Sequence, residues 1–478
     1  MSCTTILVGK KASFDGSTMI ARNDDSPSGI FHEKKMIVVE PKDQKLKYSS
    51  KLSTFKIELP SNPLRYTLMP NVNKKEGIWG AAGINSMNVG MTATETITSN
   101  PLVLGADPLC VDYKTGKNYG IGEEDLVCIV LPYIKSAREG VLRLGSLIEK
   151  YGTYESNGIA FNDENEIWWF ESIGGHHWIA KKVPDDRYVV MPNQFGLDNF
   201  DFDDAYNEAN ENLCSRDLIE FIKKYHLDLN LSNNFNPRLA FGSHDDSDHV
   251  YNTPRAWFML RYFNPNSYKW DGENADYKPE SDDLPWSMIP ERKITIEDIK
   301  YILSSYYQGT IFNPYLKDGK HIYRPIGISR TSFMAILQIR PYVKDTLKSI
   351  EWVCFGSNAF NAIIPIYTNT TLIPSYLSNT TLDVNTNNFY WCSRLIGVLA
   401  DSNFNLTSIY IERYQDNVAK YSHELINKHD DIINDVSDVN KANLEISNMV
   451  KKETTKTLNK LVYVTSMKMK NGFARSDN

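Results

Sequence analysis

Short runs of β-branched and apolar residues, separated by turn dipeptides, dominate the first hundred positions. Thr4-Thr5-Ile6-Leu7-Val8 and Ser17-Thr18-Met19-Ile20-Ala21 flank a loop that ends in Asp15-Gly16. Two such runs predict an antiparallel hairpin. With the loop centred near Ala12-Ser13, Cys3 falls opposite Arg22; loop type sets the register, so a shift of a few residues stays open. Gly77-Ile78-Trp79-Gly80 and Met87–Thr94 continue the strand pattern, with Gly83 to Asn85 as their turn.

Residues 136–151 switch to helical period. Val141, Leu144, Ile148 and Tyr151 form one stripe, Ser136 is an N-cap, and Gly152 is a stop. A second hairpin follows, Glu166–Glu171 and Trp178–Val183 about a Gly174-Gly175 turn, and then a strand at Tyr188–Met191. Residues 195–320 are polar and rich in Asn, Asp and Pro, which predicts loops and helices decorating a core. Strand-like runs return over 328–368. From about 410 to 465 there is no Pro or Gly, and mixed charge with helical period predicts one or two long amphipathic helices, packed on the body or on a second subunit. No repeat or linker marks a firm boundary. The division expected is a catalytic unit over 3–400, with the polar insertion around 195–320, and a helical extension over 401–478.

Composition narrows the function classes. The 478 residues are 41% hydrophobic and 23% charged, which is globular, and the net charge of −7 gives no footprint for nucleic acid or anionic membrane. No apolar run reaches the roughly 18 residues of a membrane span, and the first residues lack the basic and apolar regions of a signal peptide. The six cysteines (Cys3, Cys110, Cys128, Cys214, Cys354, Cys392) are scattered without a C-x-x-C pair. Reduced thiols in a cytoplasmic protein are the expectation.

Cys3 then asks for an explanation, together with Arg22-Asn23-Asp24-Asp25. Were Met1 and Ser2 removed, Cys3 would carry a free α-amine, which titrates at about 7.7–8.0 beside a thiol at about 8.5. That amine is a general base held next to the sulfur by the geometry of one residue. An adjacent arginine favours the thiolate, and a carboxylate can orient the amine. The bland alternative is a small buried hydrophobe beside a loop salt bridge of Arg22 and Asp25. His176-His177 lie on one strand and point to opposite sides, so they make no two-ligand clamp without a bulge. His244–His249 carries hard oxygens and two histidines but no known metal spacing, and reads as a solvated loop near the substrate mouth. No glycine pattern supports nucleotide binding.

Cys3–Gly9, Asp15-Gly16-Ser17-Thr18 and Ala21-Arg22-Asn23-Asp24-Asp25 resemble the start of the PepD-type cysteine dipeptidases of lactic acid bacteria. These are N-terminal-nucleophile (Ntn) hydrolases related to penicillin V acylases and bile salt hydrolases. Trp79–Asn85, Trp169-Phe170-Glu171, His177-Trp178, Met191-Pro192-Asn193-Gln194 and Arg324–Thr331 extend the resemblance. It implies an α+β, four-layer αββα sandwich of antiparallel sheets and hydrolysis of dipeptides, with no metal or organic cofactor. Residue by residue, Cys3 matches the nucleophile, Arg22 the arginine beside it, and Asp25 the carboxylate that holds the α-amine. Asn193 resembles the oxyanion asparagine and Arg330 the distal arginine of the cluster. Glu95 stands near the place of a second oxyanion asparagine; a carboxylate opposes an oxyanion, so backbone N–H groups would serve instead and Glu95 would meet a substrate ammonium. The competing readings are an acylase of the same superfamily, a metallopeptidase at His244–His249, and a non-enzymatic binder acting through the 410–465 helices, whose mixed charge is compatible with self-association.

Overall fold

The computed structural model describes residues 3–231 and 234–470. Two antiparallel sheets lie face to face. One has seven strands in the order Ser287–Met288, Tyr188–Met191, Thr4–Val8, Thr18–Asp25, Thr331–Ile339, Ser349–Phe355 and Ile364–Tyr367. The other has six, in the order Asn212–Cys214, His177–Val183, Ile167–Ile173, Asn157–Asn162, Gly90–Thr96 and Ala82–Ile84. The Ala137–Tyr151 helix covers the six-stranded sheet. Helices Ile296–Leu303, Phe389–Ser402, Phe404–Ile432 and Val436–Ser466 cover the seven-stranded one. The result is a four-layer αββα sandwich of antiparallel sheets.

Alternation explains why the strands are buried on both faces. In Ile167–Ile173, Ile167, Trp169 and Ile173 join the core between the sheets. Trp168 and Phe170 point the other way, into the cluster that holds Val141, Leu144 and Ile148 of the covering helix. That helix begins as its sequence dictates, with the Ser136 side chain accepting from the Glu139 N–H and Gly152 at its end. The C-terminal region forms two long helices, and their Tyr414, Val418, Val439 and Ala442 share one core with the seven-stranded sheet. Among the described residues, no helix is long and apolar enough to cross a membrane.

The expected strand at Gly77–Gly80 does not form. The strands are Ala82–Ile84 and Gly90–Thr96, and the turn between them is Asn85–Val89. Asn85 makes that turn, its side chain accepting from the N–H groups of Met87 and Val89. Gly83, read as turn, is strand instead: the Thr67 carbonyl approaches so closely that any Cβ would overlap it. The 77–81 segment curls, with Trp79 and Ala81 at φ of 48° and 59°.

Candidate active site

The first hairpin delivers its residues two positions away from the simplest register: Arg22 faces Thr5 and Asn23 faces Thr4. Because side chains alternate with period two, an even shift keeps Arg22 on the face of Cys3. Arg22 Nη2 lies 2.8 Å from Cys3 Sγ. The guanidinium is fully buried and held on every side. It donates to the carbonyls of Asn23 at 2.9 Å, Ala93 at 2.8 Å and Ala81 at 3.3 Å, and meets Asp24 Oδ1 at 3.3 Å. A cation so fixed stabilises a thiolate without reorganising.

The curl at 77–81 has a purpose here. It aims the Ala81 carbonyl at Arg22 and the Trp79 carbonyl at Lys34 Nζ, 2.9 Å away. Sparsely populated backbone conformations of this kind gather at functional sites. Lys34, also fully buried, pairs with Asp24 at 2.9 Å. Burial alone would raise the Asp24 carboxyl, but Lys34 and Arg22 outweigh it and hold the group below its ordinary value. Burial pushes the Lys34 ammonium down, with Asp24 opposing.

Glu123 completes this side. It opens the Glu123–Val130 helix, 2% exposed, with its carboxylate 3.8 Å from Arg22. Ligand atoms of Cys3, Asp24 and Glu123 lie within 4.8 Å of one another. Burial pushes Glu123 up to about 8. The trio has the donors for a metal ion, yet Arg22 and Lys34 already place two positive charges inside it, which makes it a poor host for a dication.

On the opposite side of Cys3 stands Arg255, which sequence reasoning did not single out. It donates to the Cys3 carbonyl and to Thr4 Oγ1 at 2.6 Å, and its other nitrogen meets Asn193 Oδ1 at 2.8 Å and Asn252 Oδ1 at 2.6 Å. Asn193 in turn donates to the Thr96 carbonyl at 3.1 Å. The guanidinium on Asn193 is that of Arg255. Arg330 donates to the Ser26 carbonyl, and burial together with Arg324 lowers its pKa. No local signal marked Arg255: it lies in the Thr253–Phe263 helix, inside a segment whose composition reads only as decoration.

Asp25 is bound by Arg324 and by Thr331 Oγ1, the latter at 2.6 Å. Both partners come from the Arg324–Thr331 stretch. Glu95 pairs its backbone with Gly158; its side chain lies outside what is described, as do Met1 and Ser2. Cys3 itself is fully buried.

The two histidine motifs resolve differently. His176 and His177 turn their Nδ1 atoms to the same carboxylate, Asp107, at 2.9 and 2.7 Å. This corrects the expectation of opposite sides, because His176 belongs to the turn and only His177 starts the strand. In the 244–249 loop, Asp248 accepts from Ser243 Oγ at 2.8 Å and from Asn252. His249 pairs with Asp282 at 2.9 Å. The loop therefore braces Asn252, and through it Arg255 and Asn193.

A buried N-terminal-region thiol, a fixed arginine, a set of flanking carboxylates and an asparagine on a second arginine thus form one polar cluster around Cys3. The model of peptidase family C69 matches residues 2–417, and the chain belongs to that family. It is 50% identical, over all of both chains, to a dipeptidase of Bifidobacterium longum (strain NCC 2705) and to a probable dipeptidase A of Streptococcus pyogenes serotype M3 (strain SSI-1). It is 43% identical, over 96% of each chain, to dipeptidase A of Lactobacillus helveticus.

Proposed function

We propose that the chain is a dipeptidase that hydrolyses its substrate through the Cys3 thiol and an acyl-enzyme. The observation that carries this reading is the 2.8 Å approach of Arg22 to Cys3 Sγ, within a chain of the C69 family whose relatives are named dipeptidases. Once residues 1 and 2 are removed, the Cys3 α-amine takes the thiol proton. The sulfur attacks the peptide carbonyl carbon, and the C=O electron pair moves onto oxygen. Asn193 Nδ2 turns from the Thr96 carbonyl to this oxyanion, with backbone N–H groups as further donors. The C–N bond breaks, the ammonium returns its proton to the leaving amine, and water cleaves the thioester.

Asp25 orients the α-amine in this proposal, with Arg324 and Thr331 fixing its carboxylate. Arg255 positions Asn193, and Arg330 lines the same end of the site. No cofactor enters any step. The catalytic unit spans 3–400, the helices Phe404–Ile432 and Val436–Ser466 belong to an extension over 401–478 that self-association would use, and a reducing, cytoplasmic setting suits six free thiols.

The test combines N-terminal mass determination of active enzyme with dipeptide assays of wild type, Cys3→Ser and Cys3→Ala. The expected mature chain begins at Cys3, with the Ala variant inactive and the Ser variant severely impaired. Full activity in a chain retaining Ser2 would overturn the amine-base mechanism. Turnover of an acyl amide such as penicillin V without dipeptide cleavage would replace the substrate class.

A further inference from the structure

We propose that Glu123 anchors the free α-ammonium of the substrate, and so confines the enzyme to peptides whose first residue is unblocked. This rests on the peptidase reading above. In a dipeptide, a single Cα separates the α-nitrogen from the carbonyl carbon that the sulfur attacks. Reacting atoms come within about 3–3.5 Å before attack. The ammonium therefore docks a few ångströms from Cys3 Sγ, and its counter-charge must be there.

Three described carboxylates belong to this neighbourhood. Asp24 is engaged by Lys34 at 2.9 Å and Arg22 at 3.3 Å. Asp25 is engaged by Arg324 and Thr331. Glu123 differs: it lies buried within 4.8 Å of the sulfur, and among the described residues neither carboxylate oxygen accepts a hydrogen bond. Among the described residues its ion-pair neighbour is Arg22, 3.8 Å away and already committed to the sulfur, Asp24 and three carbonyls.

Burying a carboxylate without hydrogen bonds costs several kcal/mol unless something satisfies it. A substrate ammonium supplies up to three N–H donors and the missing charge, giving charge-assisted bonds on arrival. Burial holds the carboxyl up at about 8, and an arriving ammonium, with the helix N-terminus behind it, draws the group into its charged form. Its backbone is pinned from behind, the Glu123 N–H donating to Glu155 Oε1 at 2.6 Å. A substrate lacking the amine leaves Glu123 buried and unsatisfied, which is how a polar site rejects an analogue.

The experiment compares an unblocked dipeptide, its des-amino analogue and its N-acetyl derivative, on wild type, Glu123→Gln and Glu123→Asp. Wild type is expected to lose about 100-fold or more in kcat/KM on the des-amino and N-acetyl compounds. Glu123→Gln is expected to lose a similar factor on the unblocked dipeptide, mostly through KM, with Glu123→Asp partly restoring it. Alkylation of Cys3 by iodoacetamide, which carries no ammonium, stays within a few-fold of wild type in both variants.

Equal turnover of des-amino and unblocked dipeptides by wild type would overturn the proposal, and needs no variant to fold. So would a Glu123→Gln enzyme with unchanged kinetics. Parallel loss of alkylation and hydrolysis would assign Glu123 to the thiol or to the Cys3 amine, and would overturn it too. Failure of wild type to cleave any dipeptide sinks the peptidase reading itself, an outcome distinct from all of these.

Discussion

Two buried cysteines in this molecule carry charged company, and they differ in what that company can do. Cys3 and Cys110 are both fully buried. Cys110 lies 3.9 Å from His176 Nε2, whose Nδ1 meets Asp107 at 2.9 Å, so the group has the composition of a Cys-His-Asp triad. Yet it is walled by backbone. The Cys110 N–H donates to the Thr153 carbonyl, Gly120 and Gly152 press on its side chain, and Tyr119 caps its carbonyl. His176 is raised to about 10, first by the Asp107 hydrogen bond and then by Cys110. At neutral pH it is an imidazolium held by Asp107. Cys3 has a fixed guanidinium on its sulfur and, beside it, a buried carboxylate that accepts no hydrogen bond among the described residues. Composition makes the two clusters look alike, and their surroundings separate a lock from the proposed reaction centre.

The largest effect expected breaks the comparison at the sulfur. Cys3→Ala should lower dipeptide hydrolysis by roughly 10³-fold or more. Cys110→Ala should leave kcat/KM within a few-fold and cost about 1–2 kcal/mol of stability in denaturant titration. A Cys110→Ala enzyme as dead as Cys3→Ala would reverse the assignment.

Arg22→Gln comes next. Removing the cation raises the Cys3 pKa by about 1–3 units, so alkylation of Cys3 at pH 7 slows by about tenfold or more. An unchanged pH profile of alkylation would show that Arg22 does not stabilise the thiolate.

The third prediction sharpens the view of Cys110 as packing. Gly152 has φ of +68°, and a Cβ there would overlap Cys110 Sγ and stand 2.7 Å from His176 Nε2. Gly152→Ala should destabilise by about 2 kcal/mol or more from backbone and overlap together. In the double variant with Cys110→Ala the overlap with sulfur is relieved, so the two costs should add to less than their sum. Strict additivity would mean that the sulfur does not fill that space.

The smallest effect is a pH signature. His176 is raised above its unfolded value, so its bond to Asp107 adds stability below about pH 6.5 and loses it as pH rises through about 10. Asp107 is depressed by the two histidines, against burial, so its share holds above its ordinary 3.8 and is lost in acid. Asp107→Asn should therefore lower the Tm most between about pH 4.5 and 6.5, the gap closing toward pH 10. His176 is 45% exposed at its side chain, and solvent screening keeps the gap to about 1 kcal/mol or less. A gap independent of pH would remove the ion pair from the account.

What could be read from the sequence was local or covalent. Period-two alternation over Thr4–Val8 and Ser17–Ala21 put Arg22 on the face of Cys3, and an even error in register could not undo that. The 3.6-residue stripe, Ser136 and Gly152 bounded a helix, and 410–465 declared its helices by period and by the absence of breakers. Tertiary structure alone decided the rest. Gly83 is strand and 77–81 is curled because Thr67, Arg22 and Lys34 approach from elsewhere in the chain. Arg255, Arg324, Asn193 and Glu123 join the cluster around Cys3 from a hundred to more than three hundred residues away, and no spacing rule encodes which distant guanidinium will meet which amide. Adjacency along the chain is written in the sequence, whereas adjacency through space is settled only when two sheets close over a common core and charges find partners they must have once water is gone.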